Sequence, residues 1–161
     1  MAGDWPFVSI IVPVYNGGRT IDALLTSLLA LDYPPDRHEI LIVDNKSTDD
    51  THQRIQRYPV TLLEETRIQG SYAARNRGIE AAQGEILAFT DADCFPESNW
   101  LKSIEKGMAE TKADIVLGAI SLKSGAGLGI DLLEKYINIK NEYVLQVENK
   151  EHCIGYAGNM A

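Results

Sequence analysis

Short apolar runs rich in β-branched residues alternate along this chain with stretches of helical periodicity, and that alternation is its tightest constraint. Phe7–Val14 reads as a buried strand with Pro13 near its end, where a missing N–H is tolerated. Ile21, Leu24, Leu25, Leu28 and Leu29 follow the spacing of an amphipathic helix, which Tyr33-Pro34-Pro35-Asp36 ends. Glu39–Asp44 is a second buried strand. Ser47, with Asp50 three residues on, resembles a capping box and predicts a helix to about Tyr58. Val60–Leu63 is a third strand, Ser71–Ala82 a helix stopped by Gly84, and Glu85–Thr90 a fourth strand. Pro96-Glu97-Ser98 opens a helix carrying Leu101, Ile104 and Met108, and Asp114–Leu122 reads as a fifth strand. After a Gly-rich loop, 124–129, Leu132, Tyr136, Ile139, Tyr143 and Val147 fit one more helical face. Strand–helix alternation of this kind predicts an α/β fold, a doubly wound and mostly parallel sheet with helices on both faces.

The 161 residues suit one domain, 1–161, with enough apolar content (45%) to bury a core. A formal net charge of −8 excludes a general nucleic-acid binder and a basic membrane-surface sensor. Cys94 and Cys153 form neither a metal-ligand spacing nor a disulfide framework, so a reducing cytosol is the default expectation. No apolar run is long enough to span a bilayer, and Met1–Pro6 lacks the cationic residues of a signal peptide. The expected location is therefore cytoplasmic, with peripheral association at the inner face of the membrane left open.

In doubly wound sheets ligands bind outside the carboxyl ends of the strands, and here three such ends are polar: Tyr15-Asn16-Gly17-Gly18, Asp44-Asn45-Lys46-Ser47 and Asp91-Ala92-Asp93. Residues i and i+2 leaving a strand point to the same side, so Asp91 and Asp93 can converge on one Mg²⁺ or Mn²⁺, cations that favour hard oxygen ligands. The competing reading is a helix cap or a solvated turn. Asp44 fits either a turn role or an acceptor for a ring N–H of a base. Tyr15 is either edge packing or a platform for stacking. Arg75 and Arg77 are solvated, salt-bridged, or, for Arg75, in contact with phosphate or with Asp91 and Asp93.

Val12-Pro13-Val14-Tyr15-Asn16, Asp44-Asn45-Lys46-Ser47-Thr48-Asp49, Ala74-Arg75-Asn76-Arg77-Gly78 and Asp91-Ala92-Asp93 occur in the order and spacing of the family 2 glycosyltransferases. Gly158-Asn159-Met160-Ala161 resembles a further segment of that family near the acceptor side. The resemblance covers nearly the whole chain. It implies a GT-A fold and inverting, metal-dependent transfer of a sugar from a nucleotide-diphospho-sugar, commonly a UDP-sugar, to a saccharide, lipid-linked saccharide or protein acceptor. It also implies that Pro13, Tyr15, Asn16, Asp44, Arg75 and Asp91 contact the nucleotide, with Asp91 near the ribose or metal and Asp93 ligating the Mg²⁺ or Mn²⁺ cofactor.

Three departures from the family pattern bear on this. Lys46 and Asp50 stand where the family most often has Gly. No acidic general-base motif follows Ala161, so the expectation is the N-terminal, nucleotide-binding part of a longer enzyme, and Glu148, Glu151 and His152 are substitutes on chemistry alone. A last helix with an uncovered face would favour self-association. Rival readings fare worse: an aspartyl phosphotransferase expects its motif on the first strand, Gly125–Gly129 lacks dinucleotide spacing, and no P-loop is present. A non-catalytic module that binds a nucleotide-sugar is the alternative of a different class.

Overall fold

The computed structural model describes residues 5–118 and the backbone of 159–160. The expected helix over 132–147, the Gly-rich loop, Glu148, Glu151, His152 and Cys153 lie outside the described residues, as does the surface invoked for self-association.

Strand β1, Val8–Val14, is buried at all seven positions, which requires neighbours on both edges and cover on both faces. Parallel pairing supplies the edges: β2, His38–Asp44, along the whole of β1, and β4, Ile86–Thr90, from Val8↔Ile86 to Ile11↔Phe89. β3, Thr61–Glu64, adds outside β2, and β5, Asn159–Met160, pairs antiparallel with β4, giving the order β3-β2-β1-β4-β5.

The two faces follow from side-chain alternation. Val8, Ile10, Val12, Val14, Ile40, Ile42 and Ala88 share one core with Ile21, Leu24, Leu25 and Leu28 of α1 (Ile21–Leu29), Ile55 of α2 (Thr51–Ile55) and Trp100, Leu101 and Ile104 of α4 (Trp100–Thr111). The opposite face takes α3, Ser71–Ala81, through its small buried residues Ala74 and Gly78 at i and i+4. A Cβ on Gly78 would stand 2.5 Å from Ile11 Cγ2, so α3 lies closer to the sheet than any residue with a side chain permits.

Four expectations need correction. The expected fifth strand, Asp114–Leu122, is not seen over 114–118, which hold only a single bridge residue, Leu117, with Ile115 exposed; 119–122 lie outside the described residues, and 159–160 pair with β4. The helix from Ser47 shrinks to Thr51–Ile55, because Ser47 Oγ accepts the Asn16 N–H across to β1 and Asp49 Oδ1 caps the Thr51 N–H. Helix α4 starts at Trp100 rather than Pro96, with residues 95–97 outside any element. Leu29, placed on the apolar stripe of α1, is exposed at the last turn.

Because nothing but Gly fits between α3 and Ile11, Gly78→Val is expected to lower the unfolding free energy by about 2–3 kcal/mol, the upper range for overpacking. Urea denaturation measures it; unchanged stability would mean that α3 does not press on β1 at that point.

Candidate active site at the switch point

Strands β2 and β3 lie on one side of β1 and β4 on the other, so the topological switch falls between β1 and β4. The β1–β4 ladder ends at Ile11↔Phe89, while β1–β2 runs on to Val14↔Asp44. The Asn45 N–H donates to Val14 O at 2.8 Å, so Val14 turns its backbone groups toward β2 and Pro13 turns toward the β4 side, where pairing has ceased. That placement removes the cost of the missing proline N–H. The strands thus part beyond Ile11, leaving a cavity of about 200 Å³ lined by Pro13, Val14, Tyr15, Asn45, Gly70 and Asp91, among others.

Sequence reasoning placed Pro13, Tyr15, Arg75 and Asp91 here, and the structure brings them together. Tyr15 is 53% exposed and lines the cavity. Arg75 Nη2 meets Asp91 Oδ1 at 2.6 Å, the contact with Asp91 that was one of the roles left open for it. Arg75 Nε is buried without a hydrogen-bond partner. Arg77 instead pairs with Glu80 on the surface at 3.6 Å.

Asp44 and Asn16 lie just behind the cavity rather than on its wall. Asp44 Oδ1 accepts the Ser47 N–H at 3.0 Å, and its Oδ2 lies 3.4 Å from His52 Nδ1. Glu64 approaches the same ring nitrogen at 3.5 Å. Asn16, at φ 51°, donates its N–H to Ser47 Oγ and accepts the Thr48 N–H on Oδ1 at 2.8 Å. Lys46 has φ 66°, a left-handed conformation that glycine adopts without penalty, so its departure from the family pattern carries local backbone strain.

Asp93 is exposed, and its Oδ1 accepts from the Cys94 thiol at 3.9 Å. Burial, with Asp93 and Asp91 adding to it, pushes that thiol up, so it stays protonated near neutral pH. Among the described residues no group of three or more His, Cys, Asp or Glu side chains is gathered for a metal. The donor set at the strand end is therefore two carboxylates, one oxygen of which is engaged by Arg75. Such a set fits a hard divalent cation whose remaining ligands come from phosphate and water, and does not fit an all-protein cage.

The matching sequence family is glycosyl transferase family 2, aligned over residues 9–161. The chain belongs to that family. Glycosyltransferase AglE of Haloferax volcanii is 34% identical over 155 residues, 92% of this chain and 51% of AglE. The poly(ribitol-phosphate) β-N-acetylglucosaminyltransferase TarS of Staphylococcus aureus is 34% identical over 128 residues, 76% of this chain and 22% of TarS. The chain thus spans about half the length of one relative and less of the other. Two solved family structures superpose well. The mannosyltransferase PcManGT from Pyrobaculum calidifontis, in complex with GDP-Man and Mn²⁺, gives a TM-score of 0.68 at 32% identity over 74% of this chain and 37% of that one. TarS 1–349 of S. aureus in complex with UDP-GlcNAc gives 0.64 at 32% identity over 76% of this chain and 36% of that one. These neighbours bear out the expected fold of this family 2 chain. Among the described residues no helix is long and apolar enough to cross a membrane.

Sequence reasoning gave no role to two residues at the site, Asn45, named only within the polar end of the second strand, and Glu65. Asn45 and Glu65, buried at 3% and 4% exposure, organise the loop between β3 and α3 that walls the cavity. Glu65 Oε1 accepts the N–H groups of Ile68 and Arg67, and these bonds hold its carboxyl below the usual carboxylate range. A depressed native value stabilises the fold above the unfolded pKa of about 4.3 and loses that contribution as pH falls through the native value. The melting temperature of wild type should therefore exceed that of Glu65→Gln at neutral pH, with the gap closing as acid is added below about pH 4. A pH-independent gap would show that the charge is not what holds the loop.

Proposed function

We propose that this family 2 chain binds a nucleoside-diphospho-sugar in the cavity at the β1/β4 switch point and takes part in inverting, metal-dependent transfer of its sugar to an acceptor. The observation that carries the reading is the lining of one cavity by Pro13, Tyr15 and Asp91, with Asp91 paired to Arg75 and the exposed Asp93 two residues on. Support comes also from the neighbours, one solved with GDP-Man and Mn²⁺ and one with UDP-GlcNAc.

In this reading the Pro13 ring and the Tyr15 face pack on the base, as an apolar wall and an exposed ring are suited to do. Asp91 and Asp93 hold Mg²⁺ or Mn²⁺. When bound, the cation supplies positive charge against the diphosphate that leaves with the electron pair of the anomeric bond. Arg75 fixes the orientation of Asp91, so that one of its oxygens is committed to the protein and the other remains for a ligand. Asp44 accepts from Ser47 and faces His52, and the lone pairs left on its carboxylate suit a ring N–H of the base. Asn16 locks the β1 and β2 loops together and so shapes the cavity from behind. The donor is expected to be a UDP-sugar.

Calorimetric titration of UDP, GDP and dTDP, with Mn²⁺ and again with EDTA, tests the reading on wild type and on Asp93→Asn. One nucleotide is expected to bind only with metal, and Asp93→Asn to weaken it on the order of a hundredfold, about 2.7 kcal/mol. Binding that ignores both EDTA and the substitution would remove the metal from the reading. Binding with no sugar transfer in the intact protein would favour a non-catalytic module.

A further inference from the structure

We infer that Asn45 is a positioning residue of the donor pocket, its amide setting where the wall formed by residues 69–71 stands; the inference rests on the nucleotide reading of that pocket. Asn45 follows β2 directly, and its backbone is tied to Val14 O. Its side chain reaches across to three points of one loop. Nδ2 donates to Glu65 O at 2.9 Å and to Ile68 O at 2.8 Å, and Oδ1 accepts the Gly70 N–H at 2.5 Å.

A primary amide has two N–H donors, and both are spent on the loop. Asn45 therefore borders the cavity without a free donor to offer a ligand. The loop already makes its own turn, since Glu65 takes the N–H groups of Arg67 and Ile68. What Asn45 adds is the location of that turn relative to β2. The third contact, Gly70, is the residue from which α3 starts, and α3 carries both Ala74 on the cavity wall and Arg75 on Asp91. One amide thus sets part of the cavity lining and the base of the helix whose Arg75 holds Asp91.

Only asparagine fits these contacts. An ionised Asp would aim acceptors at two carbonyl oxygens, Leu would leave buried carbonyl and N–H groups unpaired, and Gln is one methylene too long. The rival role for Asn45, direct contact with the base, predicts a loop that is unaltered in the free protein when the side chain is changed.

The test uses the intact protein with Asn45→Asp and Asn45→Leu, and Gly70→Ala as a variant that leaves the amide in place. Gly70 has φ 149°, where an L side chain is disfavoured, yet an added Cβ would meet nothing within 4 Å, so the change shifts the backbone without a clash. Hydrogen exchange of the amides at 66–71 is followed without ligand, and UDP and GDP affinities with Mn²⁺ are measured by calorimetry. Faster exchange at Gly70 and about tenfold weaker nucleotide binding are expected for the Asn45 variants, with the same loss of affinity in Gly70→Ala. Folded variants with wild-type exchange, or with a loosened loop but wild-type affinity, would overturn the inference. A wild type that binds neither nucleotide would instead defeat the reading of the pocket, and the donor-site role of Asn45 with it.

Discussion

The complete burial of β1 is the constraint on which the rest depends. A strand with no exposed residue must be covered on both faces, and its edges must be paired as far as the sheet extends. The chain meets the first demand with an apolar stripe on α1 and a small-residue face on α3. It meets the second unevenly, because β2 follows β1 to its end and β4 does not. The cavity is the gap left by that inequality. Its chemistry follows from which residues come next in the chain: a proline that gives up no hydrogen bond there, an exposed tyrosine ring, and a carboxylate leaving β4.

Around the gap, many side chains hold the backbone of a neighbouring loop. Asp44 holds the Ser47 N–H, Ser47 holds that of Asn16, Asn16 holds that of Thr48, and Asp49 holds those of Gly18 and Thr51. Polar groups leaving buried strands need partners, and in this crowded region the nearest partners are the N–H groups of the neighbouring loop. This is why so many of the polar residues at strand ends serve the shape of the site. The Arg75–Asp91 pair is the main side chain–side chain contact at the cavity, and it joins the helix on one face to the end of β4.

Those parts of the fold that bury a periodic face were legible in the sequence. Each of the first four strands lies within a residue or so of its expected bounds, and Ile21, Leu24, Leu25 and Leu28 face the core as their spacing requires. The strand-end carboxylate Asp91 was legible for a related reason, since a polar residue directly after a buried run must emerge at the sheet edge. Other features left no trace. A two-residue strand such as Asn159–Met160, paired to β4, has no periodicity to read. Ser47 and Asp50 resemble a cap locally, but a tertiary partner, the Asn16 N–H, takes the serine. Asn45 bonds to residues 20 and 25 positions away, a separation that spacing rules do not address.

The chain of side-chain-to-backbone bonds at the strand ends also has a kinetic meaning. Loops that rest on their own turns open one at a time, whereas loops that satisfy each other's amides lose partners together when any one departs. The segments 15–18, 44–51 and 65–70 are joined in that way through Asn16, Asp49 and Asn45. The entrance to the cavity is therefore expected to open as a single foldon, with one opening free energy shared by three stretches of chain distant in sequence.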